Sequence, residues 1–274
     1  MQKPIGVIDS GVGGLTVLNE LTKRLPKEKF IYFGDSLRAP YGSKEKEEVI
    51  GYVFEIVQFL MTKDIKVLVI ACNTATAYAL EILKESLSIP VIGVIKPGAR
   101  AALKVTKNKN IGVIGTLGLI DSNAYFETLC EMDSTVNVHQ LGCPMFVPII
   151  EKGKTEGKEL DLIVESTLNP LKKLNIDTLI LGCTHYPIIE GSIKKVFSDE
   201  VTIVSSAEET ANETNLILNS LGICEKRDSD TSIIHDIYTS GDLKKFIELT
   251  NKIFSNNLSV LGKLNFIEKR MTKI

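Results

Sequence analysis

The second half of this sequence repeats the strand ends of the first half, and this repeat constrains the fold more than any other feature. Four short apolar segments recur in the same order at a nearly constant offset. The pairs are residues 5–8 with 111–114 (offset 106), 33–35 with 141–143 (108), 69–74 with 180–185 (111) and 91–95 with 201–205 (110). Four ordered matches indicate an internal duplication.

Within each half, short apolar strand candidates alternate with longer segments of helical periodicity. Residues 44–63, for example, carry one broad apolar face after a charged start from Lys44 to Glu48. Such alternation is typical of a parallel sheet covered by helices on both faces. After Ser205 the pattern adds a helix over 207–221, a strand over 233–238 and a helix over 242–254.

The predicted fold is therefore α/β, with two similar lobes, each a mainly parallel sheet flanked by helices. We expect residues 1–97 and 208–274 to form a discontinuous first lobe and residues 98–207 to form the second. Because ligands bind beyond the carboxyl ends of parallel strands, the predicted active site lies in the cleft between the lobes.

Composition and charge narrow the class of partner. The 274 residues are 44% hydrophobic and carry 32 basic and 34 acidic side chains, a net charge of -2, with no long block of one sign. Nothing in this pattern attracts nucleic acid or an anionic membrane. No apolar run has signal-peptide character or approaches the roughly 18 residues of a membrane helix. We expect a cytoplasmic protein that acts on a small molecule.

The five cysteines are scattered singly, without the C-x-x-C spacing of a zinc site. We expect free thiols and no metal site. Cys72 and Cys183 occupy equivalent places in the two halves, and polar residues follow each of them. The polar clusters at the strand ends are Asp9-Ser10-Gly11, Gly34-Asp35-Ser36, Cys72-Asn73-Thr74 and Cys183-Thr184-His185.

Two thiols from facing lobes suit racemisation, which removes a proton from one face of a carbon and delivers one to the other. Reacting atoms lie about 3–3.5 Å apart, so the sulfurs should be separated by roughly twice that. Each cysteine is predicted to open a helix, whose N-terminus helps to activate a thiol. Asp9 and His185 are the titratable neighbours expected to handle protons. Stabilisation of developing charge is expected from Ser10, Asn73, Thr74 and Thr184.

Each motif also has a simpler interpretation. A single cysteine at a strand end is usually a small buried hydrophobe, and this applies to Cys130 and Cys224. Asp9-Ser10-Gly11 is compatible with a capping loop, His185 with a core or capping residue, and Tyr41-Gly42 with a turn. The glycines at 11, 13 and 14 resemble a dinucleotide loop only weakly, since the spacing is not G-x-G-x-x-G.

At these motifs nearly the whole chain resembles the glutamate racemase family of the aspartate/glutamate racemase superfamily. The motifs that carry the resemblance are residues 8–16 (IDSGVGGLT), 33–36 (FGDS) with 40–44 (PYGSK), 70–75 (IACNTA) and 181–187 (LGCTHYP). The resemblance implies interconversion of L- and D-glutamate without pyridoxal phosphate or metal, which supplies D-glutamate for peptidoglycan. It also implies a homodimer.

The resemblance further assigns roles to individual residues. Cys72 would take the proton from D-glutamate and Cys183 from L-glutamate, supported by Asp9 and His185. Glu151 and Thr116 are additional candidates near the site. The implied substrate contacts are Asp9, Ser10, Tyr41, Gly42, Asn73, Thr74, Thr184 and His185.

Two departures from the family pattern affect secondary contacts. Leu119 stands where a second threonine would be usual, and Ser205-Ser206 replaces an acidic residue and a glycine. Two rival functions also stay open: racemisation of another acidic amino acid such as aspartate, and non-catalytic binding in a two-lobed cleft. The two retained thiols argue against the second rival, because a binding protein needs no proton shuttle.

Overall fold

The computed structural model describes residues 3–197, 199, 201–226, 233–254 and 263–271, which form two parallel sheets. The strands of the first sheet, in spatial order, are β10 (Lys263–Glu268), β9 (Ile234–Thr239), β2 (Phe30–Gly34), β1 (Ile5–Asp9), β3 (Val67–Ile70) and β4 (Val91–Gly93). Those of the second are β6 (Asn137–Gly142), β5 (Asn110–Gly115), β7 (Thr178–Gly182) and β8 (Thr202–Ser205). The predicted two-lobe α/β architecture is confirmed.

Helices cover both faces of the sheets. In chain order they are α1 (Leu15–Arg24), α2 (Lys46–Met61), α3 (Asn73–Ser86), α4 (Ile95–Val105), α5 (Leu117–Asp121), α6 (Ala124–Met132), α7 (Phe146–Glu151), α8 (Lys158–Lys172), α9 (Glu190–Val196), α10 (Ala207–Ser220) and α11 (Leu243–Phe254). Short 3₁₀ turns span Tyr41–Ser43 and Tyr186–Ile189.

The duplication predicted from the sequence is visible in strand order and register. The order β2-β1-β3-β4 of the first sheet is repeated as β6-β5-β7-β8 in the second. Ile8 lies opposite Phe33 and Ile70, and the residues at the predicted offsets, Ile114, Leu141 and Leu181, pair in the same way.

The offset predicted for the fourth strand is wrong by two residues. Val91 pairs with Leu68, and the equivalent partner of Leu179 is Ile203, so this strand is displaced by 112 positions rather than 110. A shift of two residues leaves every side chain on the same face of a strand. The apolar pattern alone therefore does not separate the two registers.

The last part of the chain returns to the first lobe. β9 pairs with β2, β10 extends the sheet beyond β9, and α10 packs against α1. The strand and the two helices expected after Ser205 are confirmed, whereas β10 was not predicted. Its side chains are exposed or only half-buried, because it is an edge strand, so it lacks a continuous apolar run. The lobe boundaries at residues 97/98 and 207/208 stay a prediction.

The core lies on both faces of each sheet, as period-2 alternation requires. Ile5 and Val7 of β1 pack in the layer beneath α1 and α10, whereas Ile8 packs on the opposite face beneath α2 and α3. The carboxyl ends of the strands are thereby held rigidly at one edge of each sheet. Within the described ranges, no helix is both long and apolar enough to span a membrane.

The turn into β5 is organised by one carboxylate. Asp177 accepts hydrogen bonds from Thr106 Oγ1 at 2.7 Å, from the Lys107 N–H at 2.6 Å and from the Asn108 N–H at 2.7 Å. Burial by itself would raise the pKa of Asp177, but these hydrogen bonds outweigh it and hold the pKa below its usual value. The charged form of Asp177 therefore stabilises the fold.

We expect Asp177→Asn to lower the free energy of unfolding at pH 7 by about 1–3 kcal/mol, because it removes a charged acceptor of several hydrogen bonds. Since the folded-state pKa is depressed, this stabilisation is present above the unfolded pKa of about 3.9 and lost as pH falls through the folded value. Urea unfolding at pH 7 and in acid measures both effects. Glu85→Gln, on an exposed position of α3, is the control, and equal stabilities of the two variants would contradict the prediction.

Candidate active site

A cavity lies between the lobes, at the carboxyl ends of β1, β3 and β7. Its walls come from both lobes. The lining residues are Ser10, Pro40, Tyr41, Gly42, Cys72, Asn73, Thr74, Thr116, Val147, Gly182, Cys183, Thr184 and His185.

The structure thus gathers around one cavity every predicted site residue except two. Asp9 and Glu151 do not line it, but each contacts a residue that does. Thr184 Oγ1 donates to Asp9 Oδ1 at 3.2 Å, and Glu151 Oε1 lies 3.3 Å from His185 Nε2. The two carboxylates stand behind the cavity wall, where they act on the lining residues through charge.

Three lining residues were missed: Pro40, Val147 and Gly182. Val147 lies 107 positions after Pro40, within the range of offsets that the first two strand pairs show. The duplication therefore contained the signal, since the segments that follow β2 and β6 form equivalent walls. Val147 is buried and apolar, and the sequence alone predicts such a residue to be part of the hydrophobic core.

Cys72 ends the connection from β3 and caps α3. The Ala75 N–H donates to Cys72 Sγ at 3.5 Å, and the thiol donates to Ser10 Oγ at 3.8 Å. Burial and the nearby charge of Asp9 raise the pKa of Cys72 to about 12, which outweighs the lowering effect of the Ala75 N–H. In this structure Cys72 is a neutral thiol at physiological pH.

The prediction that each cysteine opens a helix is wrong for Cys183. After Cys72, the Thr76 N–H reaches the Cys72 carbonyl in the α-helical manner at 2.9 Å. The corresponding donor after Cys183 would be residue 187, which is a proline and has no N–H. Instead the Tyr186 N–H bonds to the Cys183 carbonyl at 3.1 Å, which begins a 3₁₀ turn.

Cys183 has a histidine neighbour in place of a helix N-terminus. His185 Nδ1 lies 3.8 Å from Cys183 Sγ, and both residues are buried. Burial alone would lower the pKa of His185, but interactions with Cys183 and Glu151 prevail and raise it to about 10. The Glu151 contact is at ion-pair distance, although its angle is not that of a hydrogen bond. The cationic imidazole of His185 therefore lies directly beside the Cys183 sulfur.

Asp9 connects the two lobes. It is buried, it accepts from the Gly11 N–H at 3.0 Å through Oδ2, and its other oxygen accepts from Thr184 of the second lobe. Burial raises its pKa above the usual value, against the lowering effects of His185 and these hydrogen bonds. Among the described residues it makes no hydrogen bond to Cys72, so its influence on that thiol is electrostatic.

The glycines after Asp9 permit close approach of the lobes. A Cβ placed on Gly13 would lie 2.5 Å from both His185 Nδ1 and Thr184 Oγ1, and one on Gly42 would overlap the side chain of Thr116. The hydroxyls of Thr74 and Thr116, one from each lobe, are 2.9 Å apart. The Gly13 contact accounts for glycine at one of the positions where the sequence weakly suggested a dinucleotide loop.

The Tyr41-Gly42 turn is held from behind by Asp35. Tyr41 donates its hydroxyl to Asp35 Oδ2 at 2.5 Å, while Arg38 and Ser240 bond to the same carboxylate at 2.7 and 2.6 Å. The Tyr41 hydroxyl is therefore engaged away from the cavity. Asp35, the partner of this hydroxyl, is not among the lining residues.

The structure places the two departures from the family pattern outside the cavity lining. Leu119 is buried, and a Cβ on Gly182 would lie 2.7 Å from its Cδ2, so it packs beneath the cavity wall within the second lobe. Ser206 is buried at the start of α10, next to Tyr125. Neither residue lines the cavity. In the described part of the chain, no group of three or more His, Cys, Asp or Glu residues is arranged to hold a metal ion.

Comparison with known proteins places this geometry in a family. The model of the Asp/Glu/Hydantoin racemase family matches residues 5–214. The chain belongs to this family. A glutamate racemase from Oceanobacillus iheyensis is 53% identical over 258 residues, which are 94% of this chain and 93% of that protein. The resemblance stated from the motifs is thus confirmed.

Solved structures of the family share the fold over its full extent. A crystal structure of a glutamate racemase isoform from Bacillus anthracis has a TM-score of 0.90 and 46% identity, covering 98% of this chain and 99% of that one. A glutamate racemase from Francisella tularensis, in complex with D-glutamate, has a TM-score of 0.87 and 32% identity, covering 97% of both chains.

The close contact at Gly13 leads to a prediction. We expect Gly13→Ala to lower the racemase activity by at least about tenfold. The new methyl group would displace His185 and Thr184, and small displacements of groups at a catalytic site are costly in rate. Gly51→Ala is the matched control: Gly51 lies on the exposed face of α2, where a Cβ meets nothing within 4 Å. It should leave activity unchanged and add about 0.5–1 kcal/mol of stability. Equal activity of the two variants would contradict the close-approach argument.

The raised pKa of His185 predicts a pH-dependent stability. A folded-state pKa of about 10 lies above the ordinary value of 6.5. The stabilisation is therefore complete below about pH 6.5 and is lost as pH rises towards 10. We expect the Tm difference between the wild type and His185→Gln to shrink from pH 6.5 to pH 10. A Tm difference that stays constant between pH 6.5 and pH 10 would refute the assignment.

Proposed function

We propose that this protein interconverts L- and D-glutamate by moving protons at the α carbon, with Cys72 and Cys183 as the two acid/base groups. One observation carries the proposal: two buried thiols, at equivalent places of a duplicated fold, line one cavity from opposite lobes. The substrate is supported by the relatives named glutamate racemase and by the neighbour in complex with D-glutamate.

The proton steps balance between the two thiols. In the L-to-D direction the thiolate of Cys183 removes the α proton, and the thiol of Cys72 delivers a proton to the opposite face. After this step Cys183 is a thiol and Cys72 is a thiolate. This is the protonation state that converts D-glutamate to L-glutamate. Catalysis therefore needs one proton shared between two sulfurs.

The surroundings of the thiols favour such a divided state. Burial and Asp9 hold Cys72 protonated, whereas the cationic His185, 3.8 Å from the sulfur of Cys183, supplies a counter-charge for the thiolate that this scheme requires there. The resting enzyme is then ready for L-glutamate. The α-ammonium group of the substrate brings a positive charge that offsets Asp9, and this eases ionisation of Cys72 in the reverse direction.

Hydroxyl and amide groups at the cavity wall would bind the substrate carboxylates. Ser10, Asn73, Thr74 and Thr184 line the cavity, the first three from the first lobe and Thr184 from the second. Oriented donors of this kind stabilise the charge that develops when the α proton leaves. In this scheme neither pyridoxal phosphate nor a metal ion takes part.

The biological setting follows from the activity and the family resemblance. We propose that the protein supplies D-glutamate for peptidoglycan, and that it does so in the cytoplasm as a homodimer. The lobe division at residues 97/98 and 207/208 belongs to the same proposal, since the lobes are the two halves of the site.

The first test follows L-glutamate in deuterated water, without added pyridoxal phosphate or metal, by optical rotation and by deuterium at the α carbon. We expect the wild type to racemise and exchange, and Cys72→Ala and Cys183→Ala each to lose racemisation by at least about a thousandfold, because each removes an obligatory acid/base group. Each variant should still exchange the α proton of one enantiomer for deuterium with retention of configuration. This enantiomer is L-glutamate for Cys72→Ala and D-glutamate for Cys183→Ala.

Cys130→Ala is the matched control, since Cys130 is a free thiol that does not line the cavity. Because the two enantiomers have equal free energies, kcat/KM must be equal in both directions for every variant, so isotope exchange identifies the role of each thiol. A wild type active only on aspartate would keep the mechanism and change the substrate. A folded wild type inert towards both amino acids would support the binding-protein alternative.

A further inference from the structure

Tyr125 of α6 reaches from the second lobe to a residue beside Cys72 in the first lobe. Its hydroxyl donates to Asn73 Oδ1 at 3.0 Å, and both side chains are buried. Asn73 lines the cavity, whereas Tyr125 does not. Neither the repeat nor the family motifs point to Tyr125. Its hydrogen bond to Asn73 nevertheless affects which polar atoms of the wall face the cavity.

The contact determines which end of the Asn73 amide faces the cavity. An amide side chain has an acceptor oxygen and a donor NH₂ group. Because the tyrosine hydroxyl occupies the oxygen, the NH₂ group is left for the cavity. Among the described residues, Nδ2 of Asn73 has no hydrogen-bond partner, and it is not one of the fully enclosed atoms that lack one. Asn73 therefore presents donors to whatever binds there.

Ser206 lies beside the Tyr125 hydroxyl. The direction of the hydrogen bond to Asn73 follows from its acceptor, because an amide oxygen can only accept and the tyrosine hydroxyl must therefore donate. Space around the pair is restricted, since a Cβ on Gly98 would lie 2.6 Å from the Tyr125 hydroxyl and 3.1 Å from Ser206 Cβ. Ser206 is one of the departures from the family pattern, and it stands where the chain passes from β8 into α10.

We propose that Tyr125 is a positioning residue for the reaction: with Ser206 behind it, its hydroxyl holds the Asn73 amide with its N–H groups towards the cavity, where they bind a carboxylate of the substrate. The inference rests on the proposed function. It also gives a reason for substrate choice at this wall, since two fixed donors favour a carboxylate over a group that must itself donate.

The test compares Tyr125→Phe with Tyr78→Phe. We expect Tyr125→Phe to raise KM for glutamate about tenfold and to change kcat by less than about threefold, because an unfixed amide weakens binding of substrate and transition state alike. Tyr78 is the matched control: its hydroxyl also crosses between lobes, to the Gly118 carbonyl at 2.8 Å, but holds no cavity residue. Its variant should keep the wild-type KM.

A double-mutant cycle separates positioning from a general structural role. If Tyr125 acts through Asn73, then Tyr125→Phe should have no further effect on KM in an Asn73→Ala background. A purely structural role would raise KM equally in both backgrounds. Gly98→Ala offers a second route, because it keeps the Tyr125 hydroxyl but displaces it, and should raise KM in the same direction if Tyr125→Phe fails to fold by circular dichroism.

The outcomes distinguish this inference from the proposed function. A wild type without glutamate racemase activity would overturn both. An active wild type with an unchanged KM in Tyr125→Phe, or with the same KM increase in the Asn73→Ala background, would overturn the positioning role alone.

Discussion

The site depends on one contact between the lobes, the meeting of the Asp9 loop with Thr184 and His185. A buried carboxylate is costly unless its oxygens are hydrogen-bonded, and Asp9 obtains one partner from its own loop and one from the other lobe. Gly13 allows this approach because it has no side chain. The cavity exists only while the two lobes remain this close, since each lobe contributes just part of its wall.

The duplicated fold places two thiols symmetrically, but their surroundings are not symmetric. Cys72 caps a long helix and lies near an anionic carboxylate, whereas Cys183 begins a 3₁₀ turn and lies beside a histidine. Pro187 is the local cause of the difference, because it lacks the N–H that would continue an α-helix. The asymmetry gives two residues of the same type different electrostatic surroundings, a carboxylate near Cys72 and a histidine beside Cys183.

Several features of the fold and the site could be predicted from the sequence because they recur in both halves of the chain. The strand order of the second lobe, the pairing of Ile114 with Leu141 and Leu181, and the gathering of Cys72 and Cys183 at one cleft all follow from the offsets between the halves. β10 was not predicted, because this edge strand has no continuous apolar run. The register of β8 was misjudged because a displacement of two residues preserves its faces.

The sequence by itself determined the duplicated α/β fold, the family and the residue types at the strand ends, because strand and helix periodicities and motif spacing are local properties of the chain. Only the tertiary structure decided how those residues interact. Burial made Cys72 a neutral thiol, proximity made His185 a cation, and the approach of α6 brought Tyr125 onto Asn73. These effects depend on distances between residues far apart in the chain, and on the removal of water from between the lobes, which raises the strength of every charge interaction there.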